Sequence, residues 1–215
     1  SGFLTPHGRR KLQFTTTNLT DVRMQAHQVH ANNIVLYLGS SSWRGRDHRP
    51  FSRSGEWKEF SIDALPNEVA KTSIDLEQVT GSALAGTWYI EAKRNGGYYP
   101  RDNVIVTVTD VALSAKESRD GFLVWATSIS GGKPIAGVDV SLWTRNNQKL
   151  LAAQTDENGF ARFERPFDDS DGSPFVILGE KEDSLSYLEL TGHELSYTDF
   201  SVQGRAYLSK GYDGF

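Results

Sequence analysis

Four histidines in the first half of the chain are the residues whose type suggests metal chemistry: His7, His27, His30 and His48. A neutral imidazole nitrogen is a common zinc ligand, but zinc motifs place their ligands at short, characteristic spacings such as H-E-x-x-H. His27 and His30 are three residues apart in a run with strand character. Because side chains alternate between the two faces of a strand, these two would point in opposite directions. We expect no metal ligand here, and we expect the histidines to lie at the surface or at a sheet edge.

A second candidate for metal chemistry is the acidic segment Asp168–Gly172, with the sequence DDSDG. Carboxylate oxygens are the ligands that calcium prefers, yet a calcium loop of the EF-hand type needs further ligands and a distal glutamate. Acidic turns that contain glycine are also common wherever two strands are joined. We interpret the segment as a solvated loop, and calcium binding remains the alternative.

The segment Ser41–Lys58 mixes arginines with aromatic residues. Such mixtures bind nucleic acid, sugar or an acidic protein surface through stacking and through guanidinium contacts. In a loop of this length, an interdomain contact is the simpler interpretation, with the arginines paired to carboxylates of a neighbouring domain. The residues predicted to form this candidate interface are Trp43, Arg44, Arg46, Arg49, Phe51, Arg53 and Trp57.

The composition excludes several classes of function. The 215 residues include no cysteine, which excludes a thiolate zinc site, a cysteine nucleophile and a thioester within this chain. The sequence contains no G-x-S-x-G, H-E-x-x-H or phosphate-binding glycine motif, so we predict no catalytic residues, no enzymatic activity and no cofactor. The net charge of −4 disfavours nucleic acid as a partner. No run approaches the roughly 18 apolar residues of a membrane span, so we expect no membrane contact by these residues.

The elements that must position these residues are short strands. Alternating polar and apolar runs, bounded by turn residues, recur along the whole sequence, and no long segment has the 3.6-residue period of an amphipathic helix. In the segment Gly132–Leu142, glycine favours a chain reversal and a strand with apolar residues at every second position follows. The segment Thr155–Phe163 repeats this arrangement, with Asp156 at the start of a turn that Gly159 closes. Both segments therefore shape the fold and carry no chemistry.

We predict an all-β chain of two consecutive seven-stranded antiparallel β-sandwiches of the fibronectin III or immunoglobulin type. The domains meet near Asp110, where one strand follows another almost without a linker, so the junction should be stiff. The segment Asn32–Gly39 is either a strand or a short helix. The other predicted strands are Arg10–Thr16, Asp21–Val29, Glu56–Ile62, Thr72–Gln78, Gly86–Arg94, Asn103–Asp110, Val111–Ser118, Gly121–Ser130, Val138–Arg145, Lys149–Asp156, Gly159–Arg165, Pro174–Lys181 and Leu185–Leu190.

Two parts of the sequence resemble consecutive domains of one family. The segment Val108–Phe163, which contains SISGGKPIAGVDVSLWTRNNQ and TDENGFARF, and the later run FVILGEKEDSLSYLEL closely resemble a macroglobulin-like domain of bacterial alpha-2-macroglobulins. The segment Lys11–Leu38 and the run GTWYIEAK resemble the macroglobulin-like domain that precedes it. The resemblance implies macroglobulin-like domains at residues 1–110 and 111–200, with residues 201–215 as a connector to the next domain.

The family is one of large periplasmic protease traps, often anchored by lipid to the inner membrane. A bait region is cut by the attacking protease, which is then held, commonly through an internal thioester. This chain has no cysteine for a thioester and no counterpart of the bait region. The resemblance therefore implies two structural scaffold domains from the N-terminal half of such an inhibitor, monomeric and not inhibitory in isolation. Their partners would be the neighbouring domains of the parent chain and, for the full-length protein, its target proteases.

An extracellular adhesin or carbohydrate-binding module is the alternative function. The two turn segments also resemble, as a looser pattern, those of carboxypeptidase-regulatory-like and invasin-type β-sandwiches. Those modules do not account for the first half of the chain. Saturable binding on a glycan array would favour this alternative.

Overall fold

The computed structural model describes residues 2–190 apart from 43–44, 47, 64, 82–84, 97–101, 119 and 165–171. The prediction of an all-β fold is confirmed, since strands dominate the described residues and the helices are short. Within the described part of the chain, no helix is long and apolar enough to cross a membrane. The helices are α1 (Ile34–Gly39) and α2 (Leu76–Thr80), and 3-10 turns span Ala31–Asn33 and Arg49–Phe51.

We call the part built from the first ten strands the first domain. The strands are β1 (Gly2–Leu4), β2 (Lys11–Thr17), β3 (Asp21–Val29), β4 (Ser41–Ser42), β5 (Gly45–Arg46), β6 (Ser52–Ser54), β7 (Lys58–Ser61), β8 (Val69–Asp75), β9 (Gly86–Lys93) and β10 (Asp102–Val108). The main sheet has six strands, in the order β1, β10, β9, β3 and β6, with β7 paired to the other end of β3. A two-stranded antiparallel sheet of β2 and β8 packs against one face of it, and β4 and β5 form a separate small pair.

The first domain departs in detail from the predicted seven antiparallel strands. Strand β1 runs parallel to β10, with Gly2 opposite Val106, and the two layers contain six and two strands. Parallel neighbours need a long crossover connection, and here all the residues between β1 and β10 supply it. A strand as short as β1 shows no readable alternation, which is why the sequence pattern did not reveal it.

Strand β3 has a different environment on each face. Val22, Met24 and Ala26 point into the core between the two layers of the first domain. His27 and Val29 point to the opposite face, because side chains alternate along a strand. That second face is buried as well, since His27 and Val29 are only 3% and 4% exposed. The main sheet is therefore covered on both sides along this strand.

Part of the cover on the second face is the helix α1. The segment Asn32–Gly39, for which the sequence left a strand or a helix open, forms a 3-10 turn followed by α1. The helix buries Ile34, Val35, Tyr37 and Leu38, of which each is at most 2% exposed. A six-residue helix is too short to be stable alone, so its packing against the sheet must hold it in place.

The second domain confirms the predicted seven-stranded antiparallel sandwich. Its strands are β11 (Val111–Ser118), β12 (Gly121–Ser128), β13 (Asp139–Thr144), β14 (Lys149–Gln154), β15 (Phe160–Glu164), β16 (Pro174–Lys181) and β17 (Ser184–Glu189). One sheet has the order β11, β12 and β15, and the other has the order β14, β13, β16 and β17. Apolar residues of both sheets form the core of the domain.

The turn between β14 and β15 forms as predicted. The Asp156 carboxylate accepts hydrogen bonds from the backbone N–H groups of Asn158 and Phe160, each at 2.9 Å. Gly159 has a φ of 79°, and a Cβ at this position would lie 2.5 Å from the carbonyl oxygen of Ala126. Both the left-handed conformation and the close approach therefore require glycine.

Candidate interdomain interface

The second face of the main sheet packs directly against the second domain. The buried apolar residues at this contact form what we call the interdomain cluster. Its members are at most 8% exposed, so water is excluded from the contact. The first domain contributes Val29, Ile34, Val35, Tyr37, Leu38 and Tyr89, and the second domain contributes Phe175, Val176, Leu178 and Leu185.

Half-buried residues extend the interdomain cluster on both sides. Phe51 and Ile105 of the first domain and Trp143 and Tyr187 of the second pack against it. The ring of Tyr187 also contacts that of Phe3 in β1, with the ring centroids 5.6 Å apart. The contact thus continues to the edge of the main sheet.

Polar groups fix the position of α1 against the second domain. The guanidinium of Arg145 lies over the ring of Phe175, 4.4 Å from its centroid, and its Nη1 is 3.4 Å from the carbonyl oxygen of Gly39. A Cβ on Gly39 would come within 3.2 Å of the Arg145 carbonyl oxygen. The two backbones are therefore close enough to favour a residue without a side chain at position 39.

The chain between the domains is hydrogen-bonded to both of them. The Thr109 N–H donates to the carbonyl oxygen of Leu4 at 2.9 Å, and the Thr109 hydroxyl oxygen accepts from the Val111 N–H at 3.2 Å. The Asp110 carboxylate accepts from the Ser128 hydroxyl at 2.7 Å and from the Ser130 N–H at 2.9 Å. These bonds leave the connection little freedom to bend, which agrees with a stiff junction.

The hydrogen bonds at Asp110 also change its ionisation. Burial alone would raise the pKa of this carboxyl, but the bonds from Ser128 and Ser130 and the charge of His7 lower it below its ordinary value of 3.8. The ionised form is therefore the one that the folded junction favours.

The candidate interface predicted for the segment Ser41–Lys58 does not form one continuous surface among the described residues. Phe51 packs on the interdomain cluster, with its ring 6.5 Å from that of Tyr37. Trp57 instead lies beneath the Lys93 ammonium, 4.1 Å from the ring centroid, at the other end of the sheet. Arg46 belongs to β5, Arg49 to the 3-10 turn before β6 and Arg53 to β6, while Trp43 and Arg44 lie outside the described residues. The prediction of an interdomain contact stays a prediction for this set.

Two of the predicted surface histidines are buried, and for them that expectation is wrong. His27 is 3% exposed and His48 is 7% exposed, whereas His7 and His30 are exposed as expected. The reason is the position of the turn before β6, which folds back onto β3 and lays His48 over the second face of the sheet. Their ring centroids are 4.1 Å apart. No local sequence pattern indicates this pair, because the two residues are far apart along the chain.

Strand β9 supplies two further residues to the same place. Tyr89 is directly opposite His27 in the sheet, and its ring stacks on that of His48 at 4.2 Å and 18°. Glu91, two residues further on the same face, brings its Oε2 to 3.4 Å from His27 Nε2. We call His27, His48 and Glu91 the histidine cluster, and its ligand atoms all lie within 4.8 Å of one another. Burial lowers the pKa of His27, and the Glu91 carboxylate opposes part of this shift.

The acidic loop considered for calcium lies almost entirely outside the described residues. Asp168, Asp169, Ser170 and Asp171 lie outside the described residues, and only Gly172 is described. Its interpretation as a solvated loop stays a prediction.

An apolar groove opens between the layers of the first domain, away from the histidine cluster. It has a volume of about 340 Å³ and lies between β2 and the main sheet, where Leu12, Phe14, Leu19, Val22 and Met24 line it. The two-stranded second layer leaves this part of the sheet incompletely covered. The lining also includes polar residues, namely Gln13, Thr15, Thr16, Lys93, Arg94, Asp102 and Asn103.

Comparisons with known proteins agree with this architecture. Residues 108–207 match the family model described as bacterial alpha-2-macroglobulin MG3 domain. The chain is 22% identical to alpha-2-macroglobulin of Pasteurella multocida (strain Pm70), over 92% of this chain and 12% of that protein. The chain thus spans about an eighth of the length of the curated relatives it matches, at 12–13% of each.

Two crystal structures of Escherichia coli alpha-2-macroglobulin share the fold. The native protein spanning domains NIE-MG1 has a TM-score of 0.69 and 18% identity, covering 83% of this chain and 87% of that one. The trypsin-activated protein also has a TM-score of 0.69 and 18% identity, covering 88% of this chain and 13% of that one.

Proposed function

We propose that this chain is a piece of a bacterial alpha-2-macroglobulin, as its matched domain and its relatives suggest, and that its two domains act as one rigid block in the frame of a protease inhibitor. The observation that carries this proposal is the interdomain cluster, which joins the domains by apolar residues that are at most 8% exposed. A continuous buried contact of this kind resists hinge motion, unlike the more polar contacts of domains that move freely.

The two similar crystal structures share the fold of both domains. The matches cover 83% and 88% of this chain, so each spans most of both domains. A rigid block is what such an inhibitor needs, because a local cleavage becomes a large motion only if its parts move as bodies.

The similarity to alpha-2-macroglobulins extends the proposal to the parent protein. We assign that protein to the periplasm, with a lipid anchor at the inner membrane. Its target proteases and the neighbouring domains of the same chain are the partners, and this chain alone is a monomer without inhibitory activity.

An inhibition assay tests the absence of activity. The purified chain is mixed with trypsin or elastase, and hydrolysis of a large protein substrate is compared with hydrolysis of a small peptide substrate. We expect neither rate to fall, because a frame without a bait region has no means of trapping a protease. A selective loss of activity on the large substrate would mean that the chain itself traps proteases, and the proposed role would be wrong.

One observation favours the alternative of a carbohydrate-binding module. Trp125 and Phe160 are opposite each other on β12 and β15, and they remain 41% and 38% exposed. Their rings stack with centroids 5.7 Å apart, which makes a small aromatic platform on the outside of the second domain. Saturable glycan binding that Trp125→Ala abolishes would establish this function in place of the frame.

A further inference from the structure

The histidine cluster has the composition and shape of a metal site, although the sequence predicted none. We propose that His27, His48 and Glu91 bind a divalent transition metal ion, Zn²⁺ in particular, on the second face of the main sheet. The three side chains come from β3, from the turn before β6 and from β9, so the ion would tie three separate segments together. This inference is independent of the proposed function.

The distances suit tetrahedral coordination. Zinc bonds of about 2.0–2.2 Å to nitrogen and oxygen place neighbouring ligand atoms about 3.3–3.5 Å apart. His27 Nε2 and Glu91 Oε2 are 3.4 Å apart, as along one edge of such a tetrahedron. All three ligand atoms lie within 4.8 Å of one another, so at most about 1.4 Å of side-chain adjustment brings the widest pair to that spacing.

His27 Nε2 is a buried polar atom that the described protein leaves unsatisfied. It makes no hydrogen bond among the described residues, and 3.4 Å from the Glu91 carboxylate is beyond an ordinary hydrogen bond. The other ring nitrogen, Nδ1, is 2.9 Å from the hydroxyl oxygen of Ser54. A hydrogen bond at one nitrogen is how proteins orient a histidine that binds metal through the other. A cation between Nε2 and the carboxylate would satisfy both groups.

The second histidine is also held in place. The ring of His48 contacts both the ring of His27 and the ring of Tyr89, with centroid distances of 4.1 and 4.2 Å. Its backbone carbonyl oxygen accepts hydrogen bonds from the Phe51 N–H at 3.0 Å and the Ser52 hydroxyl at 2.8 Å. A site whose ligands are already positioned loses little entropy when the ion binds.

The ligand set selects the class of metal and argues for a structural role. Two imidazoles and one carboxylate suit zinc and its neighbours in the first transition row, whereas calcium and magnesium prefer oxygen alone. Because both histidines are buried, a large substrate would not reach the ion, which favours a structural role. Because Tyr89 belongs to the interdomain cluster and stacks on His48, the ion would also stiffen the interface.

The experiment uses the untagged chain, freed of metal with a chelator and then titrated with Zn²⁺ by calorimetry. We expect one equivalent of Zn²⁺ to bind. When Co²⁺ is bound in place of Zn²⁺, the visible absorption spectrum should show the bands of four-coordinate cobalt. His27→Gln, His48→Gln and Glu91→Gln should each weaken binding by roughly tenfold or more. His30→Gln, which removes an exposed histidine three residues from His27, is the matched control and should bind as the original chain does.

Circular dichroism of each variant verifies that it is folded. Glu91→Gln is the variant least at risk of misfolding, because the Glu91 side chain is 16% exposed and the glutamine amide has the same shape as the carboxylate. Absence of zinc binding by the folded original chain would overturn the proposal. The proposal would also be overturned if all three substitutions left the affinity for zinc unchanged. A third contrary result would be an NMR signal of a proton shared between His27 Nε2 and Glu91 that persists when zinc is added.

Discussion

Arg145 Nη1 of the second domain lies 3.4 Å from the carbonyl oxygen of Gly39 in the first. The close approach depends on the missing side chain of Gly39, since a Cβ there would meet the Arg145 backbone at 3.2 Å. We expect Gly39→Leu to push the domains apart and to lower the free energy of unfolding by about 1–3 kcal/mol, as overpacking does. Urea denaturation measures the change. Gly2→Ala is the control, because nothing lies within 4 Å of a Cβ there, and equal losses for both would contradict the account.

Phe175 is the buried aromatic side chain that the second domain inserts into the interdomain cluster. We expect Phe175→Ala to cost about 3–5 kcal/mol and to uncouple the domains, because it leaves a cavity at their contact. Calorimetry should then resolve two thermal transitions. Phe163→Ala is the matched control, since Phe163 is also buried, at 3% exposed against 6% for Phe175, but lies in the core of the second domain alone. A single transition in the Phe175 variant, shifted as in the control, would mean that the cluster does not couple the domains.

Asp110 makes the stability of the junction depend on pH. Its pKa is lower in the folded chain than the ordinary 3.8 of an unfolded one, so its contribution is complete above that value. The contribution is lost as the pH falls through the lowered folded pKa. We expect Asp110→Asn to lower the free energy of unfolding by about 1 kcal/mol at pH 5–8. The effect is small because the carboxylate stays partly hydrated in the folded chain.

The measurement is urea denaturation of both forms between pH 2 and 8. The difference between them should begin to shrink as the pH falls below 3.8, where the carboxyl of the unfolded chain becomes protonated, and should be lost once the pH passes the lowered pKa of the folded chain. A difference that grows as the pH falls would show that the sign of the effect is wrong.

Two glycines in left-handed turns separate conformational strain from steric clash. Gly159 and Gly132 have similar φ values, of 79° and 64°. They differ in the space for a side chain. A Cβ on Gly159 would lie 2.5 Å from the Ala126 carbonyl oxygen, whereas a Cβ on Gly132 would meet nothing within 4 Å. We expect Gly132→Ala to cost about 1–2 kcal/mol through strain alone. Gly159→Ala should cost clearly more, and equal losses in thermal denaturation would contradict this reading of the turn.

The strands and turns of the second domain could be predicted from the sequence because the patterns that indicate them are local. Val138, Val140 and Leu142 alternate along one strand, and the turn from Asp156 to Gly159 is set by residues within it. The parallel pairing of β1 was not predictable, since a three-residue strand has no readable period and its partner β10 is about a hundred residues away. Local pattern identifies strands and turns but does not determine which distant strands pair.

The histidine cluster shows the same limit for a site. The alternation along β3 correctly puts His27 on the face opposite Met24. Nothing in the sequence indicates that the turn before β6 brings His48 to that face, or that the β3 and β9 register places Glu91 beside it. Sites assembled from long-range contacts become visible only when the topology is known.

The rigidity of the interdomain contact is the central claim, and a distance between spin labels tests it most directly. The chain has no cysteine, so the exposed pair Lys71→Cys and Glu157→Cys carries one label in each domain and no others. Pulsed electron paramagnetic resonance should give one narrow distribution of distances between the two labels. The distribution should broaden when Phe175→Ala is introduced into the labelled chain. A broad or multiple distribution in the labelled chain without that substitution would contradict the account, because the two domains would then be moving independently.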